Sequence, residues 1–150
     1  MQIDFFEVQP LDEFKKRVER LTKKKRFLSL PNQIGDLFDA FRKGEFEGDR
    51  IKRVEAPIAY DVYKLRLPNP DANAGKSNGY RVIYLVVTEV RIVVFLTIYY
   101  KKEEADVSDQ YIDGLIDGCI LDMIPEDDPT PDEVEAFDEY RASKKEPSDT

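Results

Sequence analysis

Two nearly continuous apolar runs, Tyr80 to Thr88 and Arg91 to Tyr99, constrain this chain more than anything else in it. Both are rich in β-branched and aromatic residues, which favour extended backbone. Both are apolar at either parity instead of every second position, so each strand has to be covered on two faces. Joined only by Glu89-Val90, they are expected to lie side by side and antiparallel in the middle of a sheet. A third, more mixed strand, Ala59 to Leu67, precedes them, carries Lys64 and Arg66, and is expected nearer an edge.

The cover for that sheet is legible on either side of it. Gln2 to Val8 reads as a short opening strand, and Pro10 suits the first turn of a helix. Leu11, Phe14, Val18 and Leu21 recur at helical spacing, which predicts an amphipathic helix from Leu11 to about Lys25. Pro31 and Asn32 open a second helix with Ile34, Leu37, Phe38 and Phe41 on one face, and Gly44 stops it. From Gly44 to Pro57 the chain is polar and without a period, and it reads as a loop. Ser108 can cap a third helix bearing Tyr111, Ile112, Leu115, Ile116 and Cys119, expected to cover the sheet or an edge. The fold class that follows is α+β: a small antiparallel sheet of about four strands, two N-terminal helices packed on it, and a C-terminal helix, filling residues 1 to 124.

From Pro125 the composition changes. Ten acidic residues stand against three basic ones, with Pro125, Pro129, Pro131 and Pro147 interspersed, the pattern of a largely flexible tail over 125 to 150. Within it Thr130-Pro131-Asp132-Glu133 has capping-box character and Val134, Phe137 and Tyr140 follow, so a short helix over 131 to 142 is compatible with the sequence. Residues 1 to 101 hold 19 basic against 14 acidic residues, a net +5, and residues 102 to 150 hold 4 against 17, a net -13. That asymmetry fits a basic binding body with an acidic tail, and it fits equally an ordinary mixed surface beside a solvated segment. In the first case the tail would lie over the cations and compete with their ligand.

Several chemistries are excluded at once. The chain has no histidine, which removes Ser-His-Asp and Cys-His catalysis and most zinc sites. Its single cysteine, Cys119, lies in an apolar run and is expected to be a buried structural thiol. No run of 18 apolar residues and no secretory leader pattern is present, so a soluble cytoplasmic protein without a membrane partner is expected. Ala74-Gly75-Lys76-Ser77 imitates the end of a phosphate-binding loop, but the motif's first glycine would fall at Pro70 and a strand follows where a helix is required. Glu126-Asp127-Asp128 and the Asp109, Asp113, Asp117 series lack the spacing of a calcium loop, so neither a metal nor another cofactor is expected.

The cations carry more. Lys64 and Arg66 are two apart on one strand and share a face, Arg81 opens the neighbouring strand, Lys76 sits on the intervening loop, and Lys101 and Lys102 lie where the last strand exits. Gathered on one side of a sheet they would bind phosphates, since an arginine can take two phosphate oxygens at once. Scattered, they would be strand-end charges kept for solubility. The run Lys23-Lys24-Lys25-Arg26 is either a dipole-matched helix end or a further RNA-facing patch through Lys24 and Arg26.

The order of elements, with Tyr63-Lys64-Leu65-Arg66-Leu67, Gly75-Lys76-Ser77-Asn78-Gly79-Tyr80-Arg81-Val82-Ile83-Tyr84 and Thr97-Ile98-Tyr99-Tyr100-Lys101-Lys102, resembles the RelE/ParE superfamily of toxins from bacterial toxin-antitoxin systems, its RelE and HigB-like members above all. The resemblance covers residues 1 to about 120. It implies an endoribonuclease that cuts messenger RNA, usually in the ribosomal decoding site, without a metal, and that a partner antitoxin neutralises. The implied chemistry is attack of a ribose 2′-hydroxyl on the adjacent phosphate while cations stabilise the growing charge. Lys64 and Arg66 fall on the family's basic pair, Arg81 on its phosphate-binding arginine and Lys102 on a basic position after the last strand; Lys76, Lys101, Lys24 and Arg26 are further RNA-binding candidates from their charge and placement. Ser108 stands where some members carry a catalytic tyrosine, and Tyr99, Tyr100 and Tyr111 are out of register with it. The general acid and base are therefore unassigned, with Lys64 a candidate base. The alternative is a toxin-fold protein that binds without cutting, either a ParE-like topoisomerase inhibitor or a decayed member kept for interaction.

Overall fold

The computed structural model describes residues 5–123. The expectations for the acidic segment 125 to 150, including its short helix, lie outside the described residues. The elements are β1 (Glu7–Pro10), α1 (Asp12–Lys23), α2 (Leu30–Arg42), β2 (Asp49–Val54), β3 (Tyr60–Leu67), β4 (Tyr80–Val87), β5 (Ile92–Tyr100) and α3 (Asp109–Asp122). The strands form one five-stranded sheet in the order β1-β5-β4-β3-β2. After β1 the chain passes through α1 and α2, enters the sheet at its far edge, and returns strand by strand until β5 lies beside β1.

The two apolar runs behave as expected: β4 and β5 pair antiparallel in the interior, and every residue of β4 is buried. The layers that cover them are distinct. On one face Tyr80, Val82, Tyr84 and Val86 of β4 meet Phe14 and Leu21 of α1 and Ile34, Leu37 and Phe41 of α2. Aromatic edges dominate that layer, with Phe41 against Tyr84 at 4.7 Å and Phe38 against Phe95 at 4.7 Å between ring centroids. On the other face Ile83, Leu85 and Val87 meet Ile112, Ile116, Cys119 and Ile120 of α3. Cys119 is a buried free thiol, as its apolar setting implied. Ser108 caps α3, its hydroxyl accepting from the Tyr111 N–H.

Pro10 closes β1 instead of opening α1, which begins at Asp12, and two further expectations need correction. The stretch from Gly44 to Pro57 contains β2, which pairs antiparallel with β3, so β3 lies inside the sheet and not at its edge. Charged side chains at Asp49, Arg50, Lys52 and Arg53 hide the strand pattern, and charge on an outermost strand is what discourages pairing with another chain. A register shift between Arg50 and Lys52 breaks the alternation further. Gly48 makes this entry geometrically: its φ is +114°, and an added Cβ would stand 2.7 Å from the Lys64 carbonyl oxygen. The second correction concerns β1, which pairs parallel with β5, so the sheet is mixed.

Candidate nucleic-acid interface

Strand periodicity decides which cations meet. Tyr60 and Val62 of β3 pack toward α3, so Lys64 and Arg66, next in that alternation, project from the same face. In the β3–β4 ladder Arg66 lies directly opposite Arg81, and in the β4–β5 ladder Arg81 lies directly opposite Tyr99. Arg66, Arg81 and Tyr99 thus form a row across three strands, with Lys64 one pleat away from Arg66.

The members of that row differ in exposure. Arg66 is exposed, and no carboxylate bonds it among the described residues. Arg81 is only 4% exposed, and its guanidinium donates to the carbonyls of Lys76 at 2.9 Å, Ser77 at 2.9 Å and Tyr80 at 3.3 Å. It therefore folds the loop 75–79 over itself and carries the exposed Lys76 on that loop's outer side. Gly79 closes the loop from below, because an added Cβ would stand 2.1 Å from the Leu67 carbonyl oxygen and 2.9 Å from that of Gly75. Lys101 donates its backbone N–H to the Gly79 carbonyl at 2.9 Å, so the exposed Lys101 and Lys102 flank the same loop.

Lys64 borders a cleft of about 440 Å³ between β2–β3 and the start of α3, shared with Lys52, Asp106, Asp109 and Asp113. Its ammonium lies 3.4 Å from Asp106 Oδ1. The same oxygen accepts from the Tyr99 hydroxyl at 2.9 Å and the Val107 N–H at 2.9 Å. The Val107 N–H, joined by Tyr99 and Lys64, holds the Asp106 carboxyl below its ordinary 3.8. Burial first, and then the bond to Asp106, pushes the Tyr99 phenol above its ordinary 10.0, so it stays protonated. Asp106 and Tyr99 are the residues that reading the chain in order missed. Asp106 lies in a connecting segment with no motif, and Tyr99 looks like any other apolar strand position.

Lys24 and Arg26 are not brought onto this face. They sit at the end of α1, in the opposite layer, where Glu103 pairs with their neighbours Arg20 and Lys25. The contact lies beside the exit of β5, so these cations approach the site only around the end of the sheet. Ser108 caps α3 through its side chain and holds no position within the row.

No family model matches the chain, and no curated protein matches it. The chain is similar to solved RelE toxins. The isolated E. coli RelE toxin aligns over 75% of this chain and 97% of its own, with 19% identity and a TM-score of 0.41. A mutant of E. coli RelE in the free state aligns over 67% and 88%, with 16% identity and a TM-score of 0.42. The RelBE2 toxin-antitoxin complex of Mycobacterium tuberculosis aligns over 66% and 94%, with 17% identity and a TM-score of 0.39.

Proposed function

We propose that this chain is the toxin of a toxin-antitoxin pair, a cytoplasmic endoribonuclease that cuts messenger RNA on the ribosome and so inhibits translation. The observation that carries this reading is the opposition of Arg66 and Arg81 on one face, with Lys64 beside them. Like charges directly opposite in a sheet are destabilising. A row of this kind is useful when it receives an anion, and a polynucleotide backbone supplies phosphates in series. Lys76, Lys101 and Lys102 extend the positive surface around the loop that Arg81 organises.

In the reaction the ribose 2′-oxygen attacks the neighbouring phosphorus and loses its proton, the P–O5′ bond breaks, and the 5′-oxygen takes up a proton. The products are a 2′,3′-cyclic phosphate and a 5′-hydroxyl. Negative charge grows on the phosphoryl oxygens, where Arg66 donates from the surface and Lys64 from the cleft mouth. Arg81 adds positive potential from beneath the loop. A group placed to meet developing charge contributes most when it is already oriented.

One observation favours the second reading, binding without cutting: Arg81 is engaged by three carbonyls and Tyr99 is 1% exposed, so neither meets solvent directly. Incubation of the purified protein with translating ribosomes and mRNA decides between the two. New 5′ ends are expected from the wild type, and Arg66→Ala is expected to lower their rate by about 10²–10³. Folded wild-type protein that produces no new ends removes the nuclease reading.

A further inference from the structure

We propose that Asp106 is a positioning residue: anchored by the Tyr99 hydroxyl and the Val107 N–H, it holds the Lys64 ammonium at the cleft mouth in line with Arg66. Its consequence for rate rests on the cleavage reading above; its geometry does not.

The distribution of hydrogen bonds carries the inference. The Asp106 side chain is 66% exposed, a setting in which a carboxylate ordinarily needs no protein partner, yet its Oδ1 gathers three donors. One donor is the hydroxyl of Tyr99, which is 1% exposed and would otherwise lie unpaired in the layer beneath α3. A buried phenol reaching outward to an exposed carboxylate fixes that carboxylate to the rigid centre of the sheet. The Val107 N–H fixes it a second time, from its own chain.

What Asp106 then holds is Lys64. A lysine at a cleft mouth samples many rotamers, and ordering its long side chain costs entropy each time a ligand binds. Pairing with a carboxylate already held by two other donors lowers that cost before substrate arrives. At 3.4 Å the contact is loose enough for the ammonium to keep donors free for a phosphate oxygen. Tyr99 also lies opposite Arg81 in the ladder, so the carboxylate, the lysine and both arginines are referenced to adjacent strands. Through Asp106 the connecting segment after β5 reaches Lys64, as it reaches the loop 75–79 through Lys101.

The test is a double-mutant cycle on the full chain with an RNA substrate cleaved at one site. Asp106→Asn keeps the shape and removes the charge, and because its amide oxygen can still accept from the Tyr99 hydroxyl and the Val107 N–H the variant is expected to fold, with a slightly lowered melting temperature. It should lower kcat about tenfold with KM within twofold, Asp106→Glu should recover part of the loss, and Tyr99→Phe should resemble Asp106→Asn. In a Lys64→Ala background Asp106→Asn should have no further effect. An equal loss in both backgrounds, or a change confined to KM, overturns the proposal. If wild-type protein cuts no RNA, the nuclease reading fails by itself. The positioning claim is still decided by ¹⁵N relaxation of the Lys64 Nζ group: it should become more mobile in Asp106→Asn, and equal order in the two proteins overturns it.

Discussion

Gly79 and Arg81 act on one loop from opposite sides, and both act through backbone carbonyls. Gly79 passes so close to the Leu67 carbonyl oxygen that no Cβ fits, while Arg81 draws the carbonyls of Lys76 and Ser77 inward. Replacing Gly79 by alanine forces backbone apart from backbone, where neither partner can rotate away. Gly79→Ala is expected to cost about 2 kcal/mol, in the range of overpacking a tight interior, measured as a lowered urea midpoint with an unchanged slope. The loss should extend to RNA affinity, because the displaced loop carries Lys76. That Arg81 stands beside Arg66 on a neighbouring strand was legible from its place at the start of the run Tyr80 to Thr88. Its three carbonyl partners were not, since they depend on how a loop with two glycines and a lysine closes, and no side-chain pattern encodes that closure.

At the scale of elements, the open stretch of β5 beyond its pairing with β1 is closed by helices. β1 pairs only with residues 92 to 95 of β5, and past that point α1 lends Arg17, which donates to the Ile98 carbonyl at 3.4 Å and pairs with Glu104 at 2.9 Å. Arg17 also pairs with Glu13 at 3.1 Å and lies over the Tyr111 ring. Tyr111 of α3 donates its hydroxyl to Glu13 and shares a bond with Thr97 of β5 at 2.8 Å, so helices from opposite faces meet around the sheet edge. The Tyr111 hydroxyl, and next Arg17, hold the Glu13 carboxyl below its ordinary 4.5 against the opposing effect of burial. Glu103 is lowered in the same direction, by Arg20 first and then Lys25. A carboxyl with a lowered folded pKa stabilises fully above its unfolded value and loses that stabilisation as pH falls through the folded one. Stability should therefore fall as acid is added below about pH 4.5. In thermal melts Glu13→Gln should flatten that decline and lower the melting temperature at neutral pH. The helices and three central strands were readable from period and composition. This clamp and β2 were not: the clamp joins polar side chains far apart in sequence, and in β2 four charged residues and a register shift hide the alternation.

For the molecule as a whole, the charge separation bears on how the proposed site would meet a polyanion. Arg66 is the exposed member of the row on β3 and β4, beside a connecting segment that is itself acidic at Glu103, Glu104 and Asp106, and the residues from 102 to 150 together carry a net -13. A segment tethered to the domain acts on a nearby cation site at high effective concentration whether or not it adopts one conformation. On the reading proposed above, its carboxylates are expected to compete with RNA phosphates and repel the incoming strand. Both core layers described above are built from residues 5–123, so a chain ending after Ile124 is expected to keep the packing that positions Lys64, Arg66 and Arg81. That truncated chain is expected to bind a short RNA several-fold more tightly than the full chain at low salt. The difference should shrink as ionic strength rises, since the screening length falls from about 10 Å at 0.1 M to about 3 Å at 1 M. A salt titration of RNA binding by fluorescence anisotropy measures both chains under the same conditions. Two parallel curves with one affinity would show that the acidic segment and the cations do not act on each other, and the positive row would then have to discriminate among partners without it.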